Sequence, residues 1–197
     1  MRGLTLYARS RHAPASLAVV LISAATVWAL ARIGGGGGGT GDPRLSTLVL
    51  AAGATAFSAG LGGQDTALDR TAAIRWIPRR AAHVLLCGAL IGSVLLAVQT
   101  LSGQSASPAF AVRNSAGLMG LVAIGAAWCG VRYAWIPAFA WLSVSLAVSV
   151  AVPPATDTAT QVLTWMLLPP DTAPGMWTAV VLTVVGVGVY AVRGPKR

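Results

Sequence analysis

Residues 64–80 read QDTALDRTAAIRWIPRR and form the one long charged segment between apolar stretches of the chain. The segment carries two of the five acidic residues and four of the fourteen basic residues. Apolar stretches of about 20 residues are what a helix needs to cross a bilayer, and such stretches flank this segment on both sides. Residues 64–80 therefore predict a loop at a membrane surface, with a short helix from Asp65 or Thr66 to Trp76.

The composition of the whole chain agrees with a membrane protein. Of its 197 residues, 55% are hydrophobic and only 10% are charged, which is too few charges to cover a water-soluble core. The formal net charge of +9 does not indicate a nucleic-acid partner, because the basic residues stand singly or in small groups at the ends of apolar runs. We therefore predict an integral membrane protein that binds lipid and no nucleic acid.

The apolar runs predict an all-α fold with six membrane-spanning helices in a single transmembrane domain over residues 1–197. The first run, Ala13 to Ala31, is uncharged and longer than the core of a secretory signal, and further spans follow it, so it is predicted to be a retained helix. The six predicted spans cover approximately residues 15–33, 45–63, 81–101, 115–131, 133–152 and 175–192.

Prolines and polar clusters mark the predicted connections. Because the residue before a proline is disfavoured in a helix, Pro78 predicts that the loop helix stops at Ile77 and that the third span begins near Pro78. Residues 102–114 predict a small polar loop. Between two Pro-Pro pairs, the piece Val162–Leu168 is too short to cross a bilayer and predicts a short helix on the outer side.

The distribution of basic residues predicts the orientation of the chain. With six spans and both termini in the cytoplasm, the inner segments hold eleven basic residues and the outer segments hold three, namely Arg32, Arg44 and Arg113. Basic residues are enriched in short cytoplasmic loops, so this bias places residues 64–80 in the cytoplasm. The predicted location is the cell membrane.

Residues that could carry chemistry are scarce. His83 and Cys87 share one helix face at i and i+4, but a metal site needs more ligands, and the pattern favours a structural role. The glycine run 34–39 lacks the GK[ST] ending of a phosphate-binding loop, and the chain contains no ATPase motif. We predict no catalytic, cofactor-binding or metal-binding residue.

The layout resembles the membrane subunits of ABC-2-type transporters, in particular the small actinobacterial type. The likeness includes six spans, a charged loop between the second and third, and a near-direct turn between the fourth and fifth. Locally, TALDRTAAIRWIPRRAAHVLL (residues 66–86) resembles the loop of such permeases, and WMLLPP (residues 165–170) resembles their outer-helix segment.

The resemblance implies a mechanism. Such subunits pair with a second membrane subunit, identical or different, and each sits on a separate subunit that binds Mg and hydrolyses ATP. The loop between the second and third spans then acts as the coupling helix. The residues implied to contact the ATPase subunit are Asp65, Leu68, Asp69, Arg70, Ile74 and Arg75.

Two other functions stay open beside this one. The chain could be a non-transporting accessory or scaffold protein that binds a partner through the same loop, or a membrane-embedded enzyme. The enzyme hypothesis is disfavoured, because the sequence has two histidines and no glutamate and so offers few side chains for acid–base or metal chemistry. For a transporter, small and hydroxylated residues such as Ser93, Ser143 and Ser145 predict an amphipathic or hydrophobic cargo.

Overall fold

A computed structural model of the chain describes residues 43–61, 76–101, 107–151 and 157–196. All regular structure in these ranges is helical. Two short 3-10 turns, Ala59–Leu61 and Val131–Tyr133, extend the first helix and precede the fourth. The helices are α1 (Pro43–Ser58), α2 (Trp76–Leu101), α3 (Pro108–Trp128), α4 (Ile136–Ala151), α5 (Thr158–Leu163) and α6 (Ala173–Arg193).

Five stretches in the described ranges are long and apolar enough to cross a membrane. They comprise α1 with its 3-10 turn, α2, α3, α4 with the turn before it, and α6. These five correspond to the second to sixth predicted spans. The predicted first span, 15–33, lies outside the described residues, as does most of the predicted coupling loop.

Helix α3 is the centre of the bundle. It packs against α1, α2, α4 and α6, and it is the most deeply buried of the five spans. Its apolar side chains surround the whole helix, as expected for a helix enclosed by others. Leu118, Met119 and Val122 are almost completely buried.

Glycines allow the neighbours of α3 to approach closely. A Cβ atom at Gly120 would collide with the backbone of Leu182 on α6, and one at Gly186 would collide with the backbone of Gly120. Small residues serve this purpose in membranes, where lipid provides no hydrophobic drive for helices to associate. The α3–α6 seam is therefore a backbone-to-backbone contact.

Two predicted helix starts are wrong. Helix α2 already includes Trp76 and Ile77, ahead of Pro78, because a proline in the first turn of a helix removes a donor that would lack a partner in any case. Helix α3 begins at Pro108 and therefore contains part of the predicted polar loop 102–114. The side chain of Ser107 accepts a hydrogen bond from the Phe110 amide and caps this helix.

The predicted outer helix Val162–Leu168 is also misplaced. The short helix α5 covers Thr158–Leu163 and starts where the Asp157 side chain accepts a hydrogen bond from the Thr160 amide, 2.9 Å away. The helix ends at Leu163, and residues 164–168 form turns and a bend. The backbone carbonyls of this region bond to side chains of other helices instead of continuing a helical ladder.

Candidate functional site

The six residues predicted to contact an ATPase subunit, Asp65 to Arg75, lie outside the described residues. The structure does describe the continuation of that loop, which is the first turn of α2. Here the guanidinium of Arg79 lies 6.0 Å from the centre of the Trp76 ring. Residues 76–80 of the charged segment are therefore helical and belong to α2.

One end of the bundle gathers basic residues, and we call it the basic end. The hydroxyl of Tyr190 donates a hydrogen bond to the Leu61 carbonyl over 2.7 Å, and the Lys196 amide bonds to the Ala126 carbonyl over 3.0 Å. These contacts bring the ends of α1, α3 and α6 together, and the Arg80 side chain at the start of α2 lies beside Gly194 at the end of α6. In the described ranges this end holds no acidic residue and five basic residues, namely Arg79, Arg80, Arg132, Arg193 and Lys196.

The opposite end has a balanced charge in the described ranges, with two basic and two acidic residues: Arg44, Arg113, Asp157 and Asp171. Residues 164–171, which we call the cap segment, fold back onto the bundle at this end. Trp165 and Met166 of the cap segment are completely buried. The ring of Trp165 rests on α3 at Gly117, where a Cβ atom would overlap it.

Side chains of α3 hold the carbonyl groups of the cap segment. The guanidinium of Arg113 donates to the carbonyls of Leu168 over 2.6 Å and Pro169 over 2.7 Å, and to the Asn114 side-chain oxygen over 3.1 Å. The Asn114 amide donates to the Met166 carbonyl over 2.7 Å. Because Arg113 is only 3% exposed, these bonds compensate for the removal of its charge from water.

Helices α1 and α4 complete this hydrogen bonding. The Thr47 hydroxyl on α1 shares its one proton between the Pro43 carbonyl, 2.7 Å away, and the Met166 carbonyl, 3.2 Å away. On α4, the Trp141 indole and the Ser145 hydroxyl both donate to the Leu163 carbonyl, over 3.1 and 2.6 Å. Side-chain donors thus fix the cap segment to α1 and α3, and they fix the last residue of α5, just before it, to α4, which explains how irregular backbone is accommodated beside membrane helices.

The Asp157 carboxylate caps α5 at the surface of the same end. Its hydrogen bonds from the Thr160 amide and hydroxyl lower the pKa of this carboxyl below its ordinary value. It therefore carries a charge at neutral pH, at the N-terminus of a short helix where a negative charge is favourable.

A cavity of about 380 Å³ lies between α2, α3 and α6, and we call it the groove. Its floor consists of buried residues, including Val84, Gly88 and Met119. Its rim consists of exposed residues of α2 and α3, including Leu85 and Val112, which are 51% and 62% exposed. The groove therefore opens sideways, in the direction where lipid surrounds a membrane helix bundle.

The polar groups of the groove are already engaged within their own helices. Ser93, Ser115 and Thr183 line it, and their hydroxyls donate to the carbonyls of Ala89, Val112 and Ala179. No charged side chain lines it. The groove consequently favours an apolar ligand over a sugar or an ion. Of the three serines predicted to line a path, Ser93 lies here, whereas Ser143 and Ser145 on α4 do not.

His83 and Cys87 lie close together on α2, with 3.9 Å between the Cys87 sulfur and the His83 Nε2 atom. The described residues contain no group of three His, Cys, Asp or Glu side chains that could hold a metal ion. The predicted structural or headgroup-level role of His83 stays a prediction, since a metal site needs three or four ligands.

Sequence reasoning missed the polar cluster at the cap segment. It assigned Arg113 and Asn114 to a loop, although the pair Ser107-Pro108 is a typical signal for a helix start. That signal would have placed both polar side chains inside a span, where they need internal partners.

The described fold defines the class of this protein: it is an α-helical protein with several membrane-spanning helices. Comparison with protein-family models, curated proteins and solved structures found no match to this chain.

Proposed function

We propose that this protein is the transmembrane subunit of an ABC-type transporter. It forms, with a second membrane subunit, a path for an amphipathic or hydrophobic substrate. Separate ATPase subunits dock on the loop at residues 64–80 and supply the energy. The protein itself is not an enzyme in this proposal, and ATP and Mg are bound by the partner.

One structural observation carries the proposal: residues 76–80 of the charged segment form the first turn of α2, the helix that forms one wall of the groove. Helix α2 starts at Trp76 and contributes groove residues from Val84 to Leu96. A helix is stiff over this length, so a force applied to the loop moves the groove wall as a unit. This continuity offers a mechanical link between an ATPase on the loop and a cargo in the membrane.

The charge distribution supports an orientation with the loop and the C-terminus in the cytoplasm. In the described ranges the basic end carries five positive charges, whereas the opposite end carries two of each sign. Basic residues favour the cytoplasmic side. Both termini are cytoplasmic in the proposed arrangement of six spans, which includes residues 15–33 as the first.

The absence of acidic residues from the five described spans supports an external energy source. The five described spans contain no acidic residue, so they offer no carboxylate for a proton relay. Cargo movement would then depend on work done by a partner protein. The non-transporting accessory role remains the second candidate, because the same loop and the same charges would also suit a scaffold.

The test is to purify the tagged protein from native membranes and to measure vanadate-sensitive ATP hydrolysis in the resulting complex. Replacing Asp69 and Arg70 by alanine should leave membrane insertion unchanged and reduce both the amount of ATPase subunit recovered and the ATP hydrolysis. The expected reduction is at least about tenfold, as for the loss of charged anchors at an interface.

A matched control removes one acid and one base from the opposite end, as Asp157→Asn with Arg44→Ala. Asparagine keeps the N-cap of α5, so this variant should retain the partner and the hydrolysis. If the native complex hydrolyses no ATP, the transporter proposal is wrong and the accessory role is favoured. Undiminished recovery with Asp69→Ala/Arg70→Ala would refute the coupling role of the loop.

A further inference from the structure

The groove lies at the middle depth of the described spans. On α2 its lining runs from Val84 to Leu96, within a helix that extends from Trp76 to Leu101. On α6, Thr183 lines the groove and stands at the midpoint of the helix. Water and lipid headgroups do not reach the centre of a bilayer, and the hydroxyls of the groove are already hydrogen-bonded within their own helices. The groove therefore fits an apolar occupant that itself lies within the membrane.

Small residues line the open side of the groove. Ala89 and Ser93 are exposed on α2 one helical turn apart, and Ala116 lies on the α3 side with part of its surface exposed. Small side chains in this spacing let the backbone of another helix approach closely, which is how membrane helices gain packing energy without a hydrophobic drive. An acyl chain has no such preference, because it meets apolar surface on every side of the bundle. This surface therefore suits a helix better than a lipid tail.

The chain holds one further apolar segment, the predicted first span at residues 15–33, which lies outside the described residues. Residues 34–42 connect it to α1. The Gln99 side-chain amide on α2 donates a hydrogen bond to the Ser46 hydroxyl on α1 over 3.1 Å, so the start of α1 lies beside the last turns of α2. Leu96, the last groove residue on α2, stands about 5 Å before Gln99 along the helix axis. The connection to the first span thus starts close to one end of the groove.

This connection is long enough to bring the first span to the groove. The nine residues 34–42 reach up to about 30 Å when extended, about three times the ~10 Å that separates the axes of packed helices. From Pro43 the chain can therefore pass the end of α2 and enter the groove. The predicted orientation agrees, since the first span and α2 both run from the basic end to the opposite end.

The sequence of the first span offers a matching face. At helical spacing Ala18, Ala25 and Ala29 share one side, and Leu21 and Ile22 stand next to it. Such a side lets the helix lie against the small residues of α2. The larger side chains beside it would then fill the cavity of about 380 Å³.

We infer that the groove is the packing site of the chain's own first span, residues 15–33. A tether of nine residues holds this segment at a millimolar effective concentration beside the groove, an advantage that a helix of a second copy lacks. The inference does not depend on the proposed function, because packing within one chain requires neither ATP nor a partner. In the proposed transporter, α2 would pass its movement on to the first span.

Disulfide cross-linking in native membranes tests this packing. Both native cysteines are first removed, as Cys87→Ala with Cys129→Ser, and a protease site is placed in the glycine run 34–39. One cysteine is then introduced in the first span and one in the bundle. A disulfide within one chain keeps the two protease fragments joined until reduction, whereas a disulfide between chains gives a dimer.

Two pairs probe the groove: Ala25→Cys with Ala89→Cys, and Ala29→Cys with Ser93→Cys. The matched control is Ala25→Cys with Ser143→Cys, because Ser143 is exposed near the middle of α4 and lies away from the groove. A disulfide requires Cα atoms within about 7 Å, so the groove pairs should cross-link within one chain at least about tenfold more than the control pair.

A bulky substitution tests whether the first span enters the groove. In the Ala29→Cys/Ser93→Cys protein, Ala116→Leu places a larger side chain into the groove and should reduce cross-linking about fivefold. Ala140→Leu, on the exposed side of α4, should not reduce it. If Ala116→Leu fails to fold by circular dichroism, Ala89→Leu replaces it, since this lining position is exposed and tolerates a larger side chain.

Three results would overturn the inference: no disulfide in either groove pair, as much cross-linking in the control pair as in the groove pairs, or unchanged cross-linking in a folded protein whose groove carries the larger side chain. Disulfides that join two chains would also overturn it, since they would assign the groove to a second copy. None of these measurements involves ATP hydrolysis, so they can fail while the proposed function holds, and the reverse.

Discussion

At the scale of single residues, the most informative position is Arg113. It was expected in a polar loop, and instead it is 3% exposed within α3, with carbonyl groups of the cap segment as partners. The carboxylate of Asp171 interacts favourably with its charge. A buried arginine persists only where several hydrogen-bond acceptors surround it, and here the turn after α5 provides them.

The first prediction concerns this residue. Arg113→Leu should lower the midpoint of thermal unfolding in detergent, because the Leu168 and Pro169 carbonyls lose their donors. Both carbonyls are partly buried, so the expected cost is at the lower end of the ~1–3 kcal/mol of an unsatisfied buried group. Arg113→Lys should recover only part of the loss, since a lysine cannot reproduce the planar fork of a guanidinium.

Arg132→Gln is the control for Arg113→Leu, because Arg132 is exposed and its substitution should change the free energy of unfolding by less than about 0.5 kcal/mol. If Arg113→Leu unfolds at the same temperature as the wild type, the hydrogen bonds to the cap segment do not contribute to stability.

At the scale of elements, packing distinguishes glycines that look alike in the sequence. Gly186 and Gly188 stand two residues apart in α6, in the stretch VVGVGVY. A Cβ atom at Gly186 would collide with the backbone of Gly120, whereas one at Gly188 would meet nothing within 4 Å. Only the first is required for the α3–α6 seam.

The second prediction compares these two glycines. Gly186→Ala should destabilise the protein by about 1–3 kcal/mol or more, because neither backbone can move away without separating the helices. Gly188→Ala should be neutral or stabilising by up to about 1 kcal/mol, since alanine favours a helix over glycine. Thermal unfolding of both variants is the measurement, and equal effects would contradict the described seam.

At the scale of the whole molecule, charge separates the two ends of the bundle. The described residues of the basic end carry five cations, and the opposite end is neutral in sum. The two free cysteines offer a simple way to test the orientation, because Cys129 is exposed at the basic end and Cys87 is buried.

The third prediction is that a membrane-impermeant maleimide labels Cys129 in inverted membrane vesicles and does not label it in intact cells. Cys129→Ser should remove the signal. In that background, Ala159→Cys on the exposed surface of α5 should give the opposite pattern. Labelling of Cys129 from outside intact cells would reverse the proposed orientation and move the charged loop away from any cytoplasmic ATPase.

The sequence alone determined that this is an all-helical membrane protein, and it located the second to sixth spans. Long uncharged runs carry that information locally, because any such run must bury its backbone groups in a helix to enter a bilayer. It also showed that most basic residues belong to the segments predicted to lie on the cytoplasmic side.

Only the tertiary structure decided which polar residues are internal and where the groove lies. The role of Arg113 depends on carbonyl groups more than fifty residues later in the chain, and the role of Gly186 depends on Gly120. The groove exists because α2, α3 and α6 meet along one side. Such relations arise from packing between distant segments, so no local pattern of residues could encode them.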